Sequence, residues 1–335
     1  MRDVADAAGV SLQTVSNLVN GRTNQMTPDT SSRIRAVMDD LGYHPNFAAR
    51  GLRSSRSRTF GFLILDDSSR FLADPMTDLF MSGLGDVLRD QGYALLIQAS
   101  LQDNPIEQLL QPVHEGRVDG AVVFLSGPAS MRARYIQQLR KLSAPVLLLQ
   151  EHELAEADLP GLSADDFGGA RDLCRHLIER GHRRIGFLTA EHRWSAIEAR
   201  FSGYLAAHAE AGLTADPDHA VWRGGFDALS ASESAGALLD VRSRPTAIMC
   251  ANDLIALGVL KAARDRGLRV PDDLAVTGFD DFDFAAAVLP ALTTVVIPGY
   301  EMGRLAARVM IDSGDGRGSR AQHRFPTELR VRESG

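Results

Sequence analysis

Cysteine is nearly missing. Only Cys174 and Cys250 occur in 335 residues, both in apolar surroundings and without metal or redox spacing, so a disulfide scaffold is excluded and both are expected as reduced core residues. Long apolar runs are missing as well. Phe60 to Leu65, Ala121 to Leu125 and Val146 to Leu149 have strand length, against the roughly 20 residues a spanning helix needs, so no membrane partner is expected. The first residues are charged and amphipathic with no apolar stretch of a secretory signal, so a cytoplasmic location is expected. No P-loop, Gly-x-Ser-x-Gly elbow, His-Glu-x-x-His or Cys-x-x-Cys is present, and the nine histidines are scattered. The run Asp280-Asp-Phe-Asp283 offers hard oxygen donors, but its spacing is not that of a calcium loop. No enzyme, cofactor or metal is therefore expected.

What is present is the composition of a globular protein, 44% apolar and 24% charged, long enough for two or three domains. The net charge of −7 hides an asymmetry. Residues 1–58 hold eight arginines against five acids, hence +3, which leaves −10 on residues 59–335. A basic segment on an acidic body implies a polyanionic partner for that segment alone.

Within it, residues 2–8 place Val4, Ala5 and Ala8 at helical spacing and are closed by Gly9. From Ser11, which can cap a second helix reaching Asn20, Val15, Leu18 and Val19 share one face while Gln13, Asn17 and Asn20 share the other. Two short helices joined by a glycine turn form a helix-turn-helix, whose second helix enters the major groove. The amides of Gln13 and Asn17 donate and accept in one plane, as the adenine edge requires, and Thr14 or Ser16 adds a phosphate or base contact. The plainer alternative is a helical hairpin whose amides face water. Thr27-Pro28 opens a third helix, through Ile34, Val37, Met38 and Leu41 to Gly42. Residues 44–58 carry four arginines and no acid. Pro45-Asn46 starts a helix of about two turns, too short to stand without a partner. In it Leu52, flanked by Arg50 and Arg53, has the composition of a wedge for the minor groove; the alternative is a flexible basic linker.

After residue 59, apolar strands alternate with amphipathic helices, the pattern of parallel α/β layers. Strands near 60–65, 94–98, 120–124 and 146–150, with helices around 78–91, 105–115 and 131–142, form a first half. A second half repeats the pattern from the helix 168–180 to the strand 274–279, with residues 151–164 crossing between them. Residues 294–298 return toward the first half with the helix 299–313. Two such lobes hold a ligand in the cleft and close by hinge motion. Ligands of open parallel sheets sit beyond the carboxyl ends of strands, which selects Asp66, Gln150, Asn252 and Asp280. Arg200 adds a planar donor fork, and Phe226 or Phe282 a ring to stack on an apolar sugar face. The alternatives are structural: Asp280 and Asp281 cap the following turn, and Arg200 pairs with an acid.

These residues resemble the LacI/GalR family of bacterial transcriptional repressors. Asp3-Val-Ala-x-x-Ala-Gly-Val-Ser-x-x-Thr-Val-Ser, Leu41-Gly-Tyr-x-Pro-Asn and Ala49-Arg-x-Leu are similar to its headpiece and hinge, and Gly181-His-Arg-Arg-Ile, Arg200-Phe-Ser-Gly-Tyr, Ala251-Asn-Asp, Gly278-Phe-Asp-Asp and Pro326-Thr-Glu-Leu to its core. The resemblance implies an all-α helix-turn-helix headpiece (1–43), a hinge (44–58) and a two-lobed, periplasmic-binding-protein-like α/β core (59–335). Lobe 1 takes about 59–152 and 297–320, and lobe 2 about 163–293 and 325–332. It implies a homodimer on a pseudo-palindromic operator in double-stranded DNA, a sugar or sugar derivative as effector, base-reading positions at Leu12, Gln13 and Asn17, a hinge lever at Leu52, and effector contacts at Arg200, Asn252 and Asp280. Many members have Arg at the position of Asn17, and several sugar-responsive members have Asp at that of Gln150. Members also carry a capping threonine ahead of the position of Asp3, for which Met1 leaves no room: either the start lies upstream or the first helix is frayed. No leucine-heptad tail follows the closing motif, so a tetramer helix is not expected. Two other functions fit parts of the pattern: an exported solute-binding protein, against which residues 1–58 argue, and a metal-dependent enzyme using the Asp280 cluster.

Overall fold

The structure is a computed structural model that describes residues 1–19, 22–24, 26–43, 56–66, 71–100, 106–152, 159–317 and 321–335. Contacts divide the chain into two units, Met1–Ser57 and Arg58–Gly335.

In the first unit, α1 (Arg2–Ala8) ends where Gly9 turns left-handed at φ 61°, a conformation that favours glycine. Met1 occupies the N-cap position of α1 without a side-chain cap. Helix α2 spans Leu12–Val19 and α3 Pro28–Asp40; Thr27 caps α3 by accepting from the Thr30 N–H, with Pro28 at the first helical position. Val4, Ala5, Ala8, Val15, Leu18 and Ile34 form the core between the three.

The second unit carries a six-stranded parallel sheet in the order β11-β5-β4-β3-β1-β2, with β1 Thr59–Leu65, β2 Ala94–Ser100, β3 Ala121–Leu125, β4 Val146–Leu149, β5 Gly161–Ala164 and β11 Gln322–Phe325. Alternation along β1 sends Phe60, Phe62 and Ile64 to one face and Leu63 and Leu65 to the other. Both faces are covered, which is why β1 reads as a continuous apolar run rather than an alternating one. Helices α4 (Pro75–Asp90) and α11 (Gly299–Gly314) pack together against the first face; α5 (Ile106–His114) and α6 (Ala129–Leu139) cover the second.

A second parallel sheet, ordered β7-β6-β8-β9, comprises β6 Ile185–Thr189, β7 Ala220–Trp222, β8 Ala247–Cys250 and β9 Ala275–Thr277. Around it lie α7 (Asp166–Glu179), α8 (Ser195–Glu210), α9 (Ala228–Leu239) and α10 (Asp253–Asp265). β10 (Thr294–Val296) pairs antiparallel with β12 (Glu328–Arg330). Three strands differ from the sequence expectation. Residues 161–164, expected only as a crossing, form β5 of the first sheet. β11, which includes Phe325 from the segment assigned to lobe 2, also joins the first sheet by pairing with β5. Neither β11 nor β12 shows the long apolar run of a central strand, because both lie at edges and are largely exposed. No helix among the described residues is long and apolar enough to cross a membrane.

Candidate functional site

On the headpiece, Ser11 caps α2 by accepting from the Thr14 N–H at 3.0 Å, and its hydroxyl lies 2.8 Å from that of Thr14. Leu12 and Gln13 are exposed, Leu12 at 47%, where a core-forming leucine is not expected. The Gln13 amide donates to Asn17 Oδ1 at 3.0 Å, so the two amides one turn apart are joined on the face of α2 opposite its buried residues. Ser16 departs from expectation: it is 6% exposed, on the inner side of α2 beside Val15, and its hydroxyl is not part of that face. Asn46, Arg50, Leu52 and Arg53 lie outside the described residues.

In the second unit one cavity of about 390 Å³ opens between the two sheets. Asp66, Gln150, Arg200, Phe226, Asn252 and Asp280 all stand on its wall. Asp66, Gln150, Asn252 and Asp280 are each placed by the end of an element, whereas Arg200 projects from within α8. Asp66 follows β1 and Gln150 follows β4 at φ 56°, its Oε1 accepting from the Ala164 N–H at 3.0 Å. Asn252 caps α10 through the Ile255 N–H at 2.8 Å, and Asp280 follows β9 at φ 104°. Left-handed backbone at a non-glycine residue is strained and persists where neighbours hold it. Here Asp253 is the holder: it accepts from the Phe282 N–H at 2.8 Å and from the Thr294 hydroxyl at 2.6 Å, fixing the 280–282 turn from below. Phe282 is drawn into the core beside Phe284 and does not line the cavity, which leaves Phe226 as the ring of the expected pair that does.

Arg200 is 4% exposed and each of its three nitrogens already has a partner. Nε donates to Asp166 at 2.7 Å, Nη1 to the Ala251 carbonyl at 2.6 Å, Nη2 lies 2.9 Å from Asp280, and the guanidinium rests 3.9 Å from the centre of the Phe279 ring. One positive charge thus serves two buried carboxylates. Burial opposes the ionisation of Asp166, yet Arg200 and His152 together hold its carboxyl below the usual range. Asp280 gets the smaller share: burial pushes it up to about 7, with Arg200 offsetting only part. Burial likewise raises Asp74 to about 6, although the Met76 N–H supports its charge, and raises Asp253 to about 8.

Several wall residues were not singled out from the sequence. Asp74 signals itself only as an N-cap before Pro75, a structural role it also fills. Phe124 lies one residue before the end of β3, and Trp194 precedes α8; their ring centres are 4.4 Å apart and make an aromatic wall.

A three-helix headpiece with an amide-bearing exposed helix, together with a two-lobed core enclosing a polar and aromatic cavity, defines a ligand-responsive DNA-binding regulator. Residues 1–46 match the family described as bacterial regulatory proteins, lacI family, and residues 174–335 a periplasmic binding protein-like domain. Catabolite control protein A of Priestia megaterium is 34% identical over 310 residues, 92% of this chain and 90% of that protein. The transcriptional repressor PurR of Aliivibrio salmonicida (strain LFI1238) is 30% identical over 313 residues, 93% and 91% of the two chains. Among solved structures, a CelR–cellobiose complex matches with a TM-score of 0.74 at 29% identity over 99% of this chain and 98% of that one. The Lac repressor dimer bound to operator and the anti-inducer ONPF matches with 0.85 at 24% identity over 99% and 97%, a likeness of fold. The chain belongs to the LacI family. It is a DNA-binding transcriptional repressor.

Proposed function

We propose that the operator affinity of this repressor is controlled by a sugar or sugar derivative held in the cavity between the lobes. The observation that carries the reading is the cavity wall itself: carboxylates and amides able to accept from and donate to hydroxyl pairs line it together with the Phe124, Trp194 and Phe226 rings. Asp66, Gln150, Arg200, Phe226, Asn252 and Asp280 are assigned as effector contacts. Arg200 is already neutralised by Asp166 and Asp280, which favours an uncharged polyhydroxyl compound over a phosphate or sugar acid. That CelR was solved with cellobiose agrees with a carbohydrate. On the DNA side, Leu12, Gln13 and Asn17 are assigned to base edges, Ser11 and Thr14 to the phosphate backbone, and Asn46, Arg50, Leu52 and Arg53 to the hinge and minor groove. An effector acts only through unequal affinity for the two lobe arrangements.

The test is a thermal-shift screen of the full chain against neutral sugars, sugar acids, sugar phosphates and nucleosides. A ligand at about a hundred times its dissociation constant adds roughly 2.7 kcal/mol of stability. A neutral sugar that raises the melting temperature, releases the protein from operator, and loses both effects in Asp280→Asn is the expected result. A response only to phosphates or nucleosides, or one that survives Asp280→Asn, overturns the reading.

A further inference from the structure

Arg132 is among the largest side chains buried in the protein, 1% exposed, and it does not line the cavity. It sits on α6, which packs on the first sheet. Its Nη1 donates to the Gly127 carbonyl at 2.6 Å and its Nε to Glu151 at 2.8 Å, just after β4. Its Nη2 donates to Glu198 at 3.0 Å, on α8 beside the second sheet. One guanidinium therefore ties lobe 1, the crossing segment and lobe 2. Other contacts run alongside. The Gly127 N–H donates to the Arg193 carbonyl at 2.6 Å, Ser126 bridges Trp194, and the His152 N–H donates to Ser195 Oγ at 2.9 Å.

A buried guanidinium is tolerated only while its donors are filled. Separating the lobes removes Glu198 and lets water reach the site, so the junction has two discrete arrangements rather than a continuous range. We propose that Arg132 is a positioning residue that latches the lobes: its pairing with Glu198 holds the arrangement that encloses the cavity, and opening the cleft requires releasing it. Bound effector and latch then favour the same lobe arrangement without touching each other. The regulatory consequence rests on the reading of the cavity as the effector site; the latch itself does not.

The experiment measures lobe separation in the full chain without any ligand. Both native cysteines are buried, so spin labels on Gln137→Cys in α6 and Glu210→Cys in α8 report the distance, with the labelled chain diluted in unlabelled protein. Glu198 is 26% exposed at its side chain, and Glu198→Gln is expected to lengthen and broaden the distance distribution, raising the ratio of open to closed forms roughly five- to ten-fold. Arg193→Gln, which removes the peripheral partner of Glu198 at 3.4 Å, is expected to leave the distribution in place. A Glu198→Gln chain with the parent distribution overturns the latch, even if its melting temperature falls. Should Glu198→Gln not fold, Arg132→Lys, whose single ammonium cannot serve Glu151 and Glu198 together, reads the same separation. Since no effector enters the measurement, failure here is distinct from failure of the sugar screen.

Discussion

At Asp280 the fold accepts a carboxylate in a place that favours its protonated form. The group ionises near 3.8 in the unfolded chain and near 7 in the folded one, so between those values the native state holds a proton that the unfolded state has lost. The contribution of Asp280 to stability then falls as pH rises from about 4 to about 7 and levels off above. Asp280→Asn is expected to flatten that stretch, and at pH 8 without effector to be more stable than the parent by on the order of 1–2 kcal/mol. Urea denaturation at pH 5 and pH 8 checks this; a variant weaker than the parent at pH 8 would mean that the Arg200 contact outweighs the burial. On the headpiece, Gln13→Ala removes an amide whose partner is Asn17 and is expected to relax base choice at one symmetric pair of operator positions, by about 1–3 kcal/mol of discrimination. Sequence selection with the variant decides it, and an unchanged consensus removes Gln13 from the reading set. Asp66, Gln150, Asn252 and Asp280 were readable from the sequence because a parallel sheet puts its binding groups after strands, whereas Arg200, inside α8, and Phe226 were readable only as a donor fork and a ring of the right chemistry. Asp74 and Asp166 were not, since each looks like a helix cap and reaches the site only through tertiary folding. Ser16 was not readable as a buried residue, because α2 buries a wider stripe than Val15, Leu18 and Val19 alone mark out.

Between elements, the lobes are held by helix pairs that meet backbone to backbone. On α4, Gly83 lies so close to α11 that an added Cβ would fall onto the Tyr300 carbonyl oxygen, and reciprocally Gly303 lies against the Phe80 carbonyl. Two positions along the same helix, a Cβ at Gly85 would meet nothing within 4 Å. The pair makes an internal control. Gly83→Ala is expected to cost about 2 kcal/mol or more by forcing the helices apart, whereas Gly85→Ala is expected to stabilise by about 0.5–1 kcal/mol through lower chain entropy. Chemical denaturation of the two variants checks this; equal midpoints would mean that α4 and α11 adjust freely. Helices and central strands were readable because their apolar periods are set by the faces they bury. β5, β11 and β12 were not, because a short or edge strand is defined by the neighbour it pairs with, and for β11 and β12 that neighbour lies far away in the chain.

Across the molecule, charge and coupling divide the work. The basic first 58 residues and the acidic remainder restrict polyanion binding to one end, so operator affinity is expected to fall steeply with salt, at about 0.9 logarithmic units per decade for each phosphate neutralised. Affinity for an uncharged effector, set by hydrogen bonds in the cleft, is expected to be nearly insensitive to salt over the same range. The two sites are nonetheless linked by thermodynamic necessity: a factor by which the effector weakens operator binding must equal the factor by which operator weakens effector binding. Titrating the effector found in the screen into free protein and into the operator complex at one salt concentration measures both. Equal factors, typically about 5- to 150-fold, with a salt slope that is the same with and without effector, would place the coupling in the lobe equilibrium while the headpiece keeps its phosphate contacts. A slope that shrinks on effector binding would instead show that the effector state gives up phosphate contacts, moving the site of control from the lobes to the basic segment at residues 44–58.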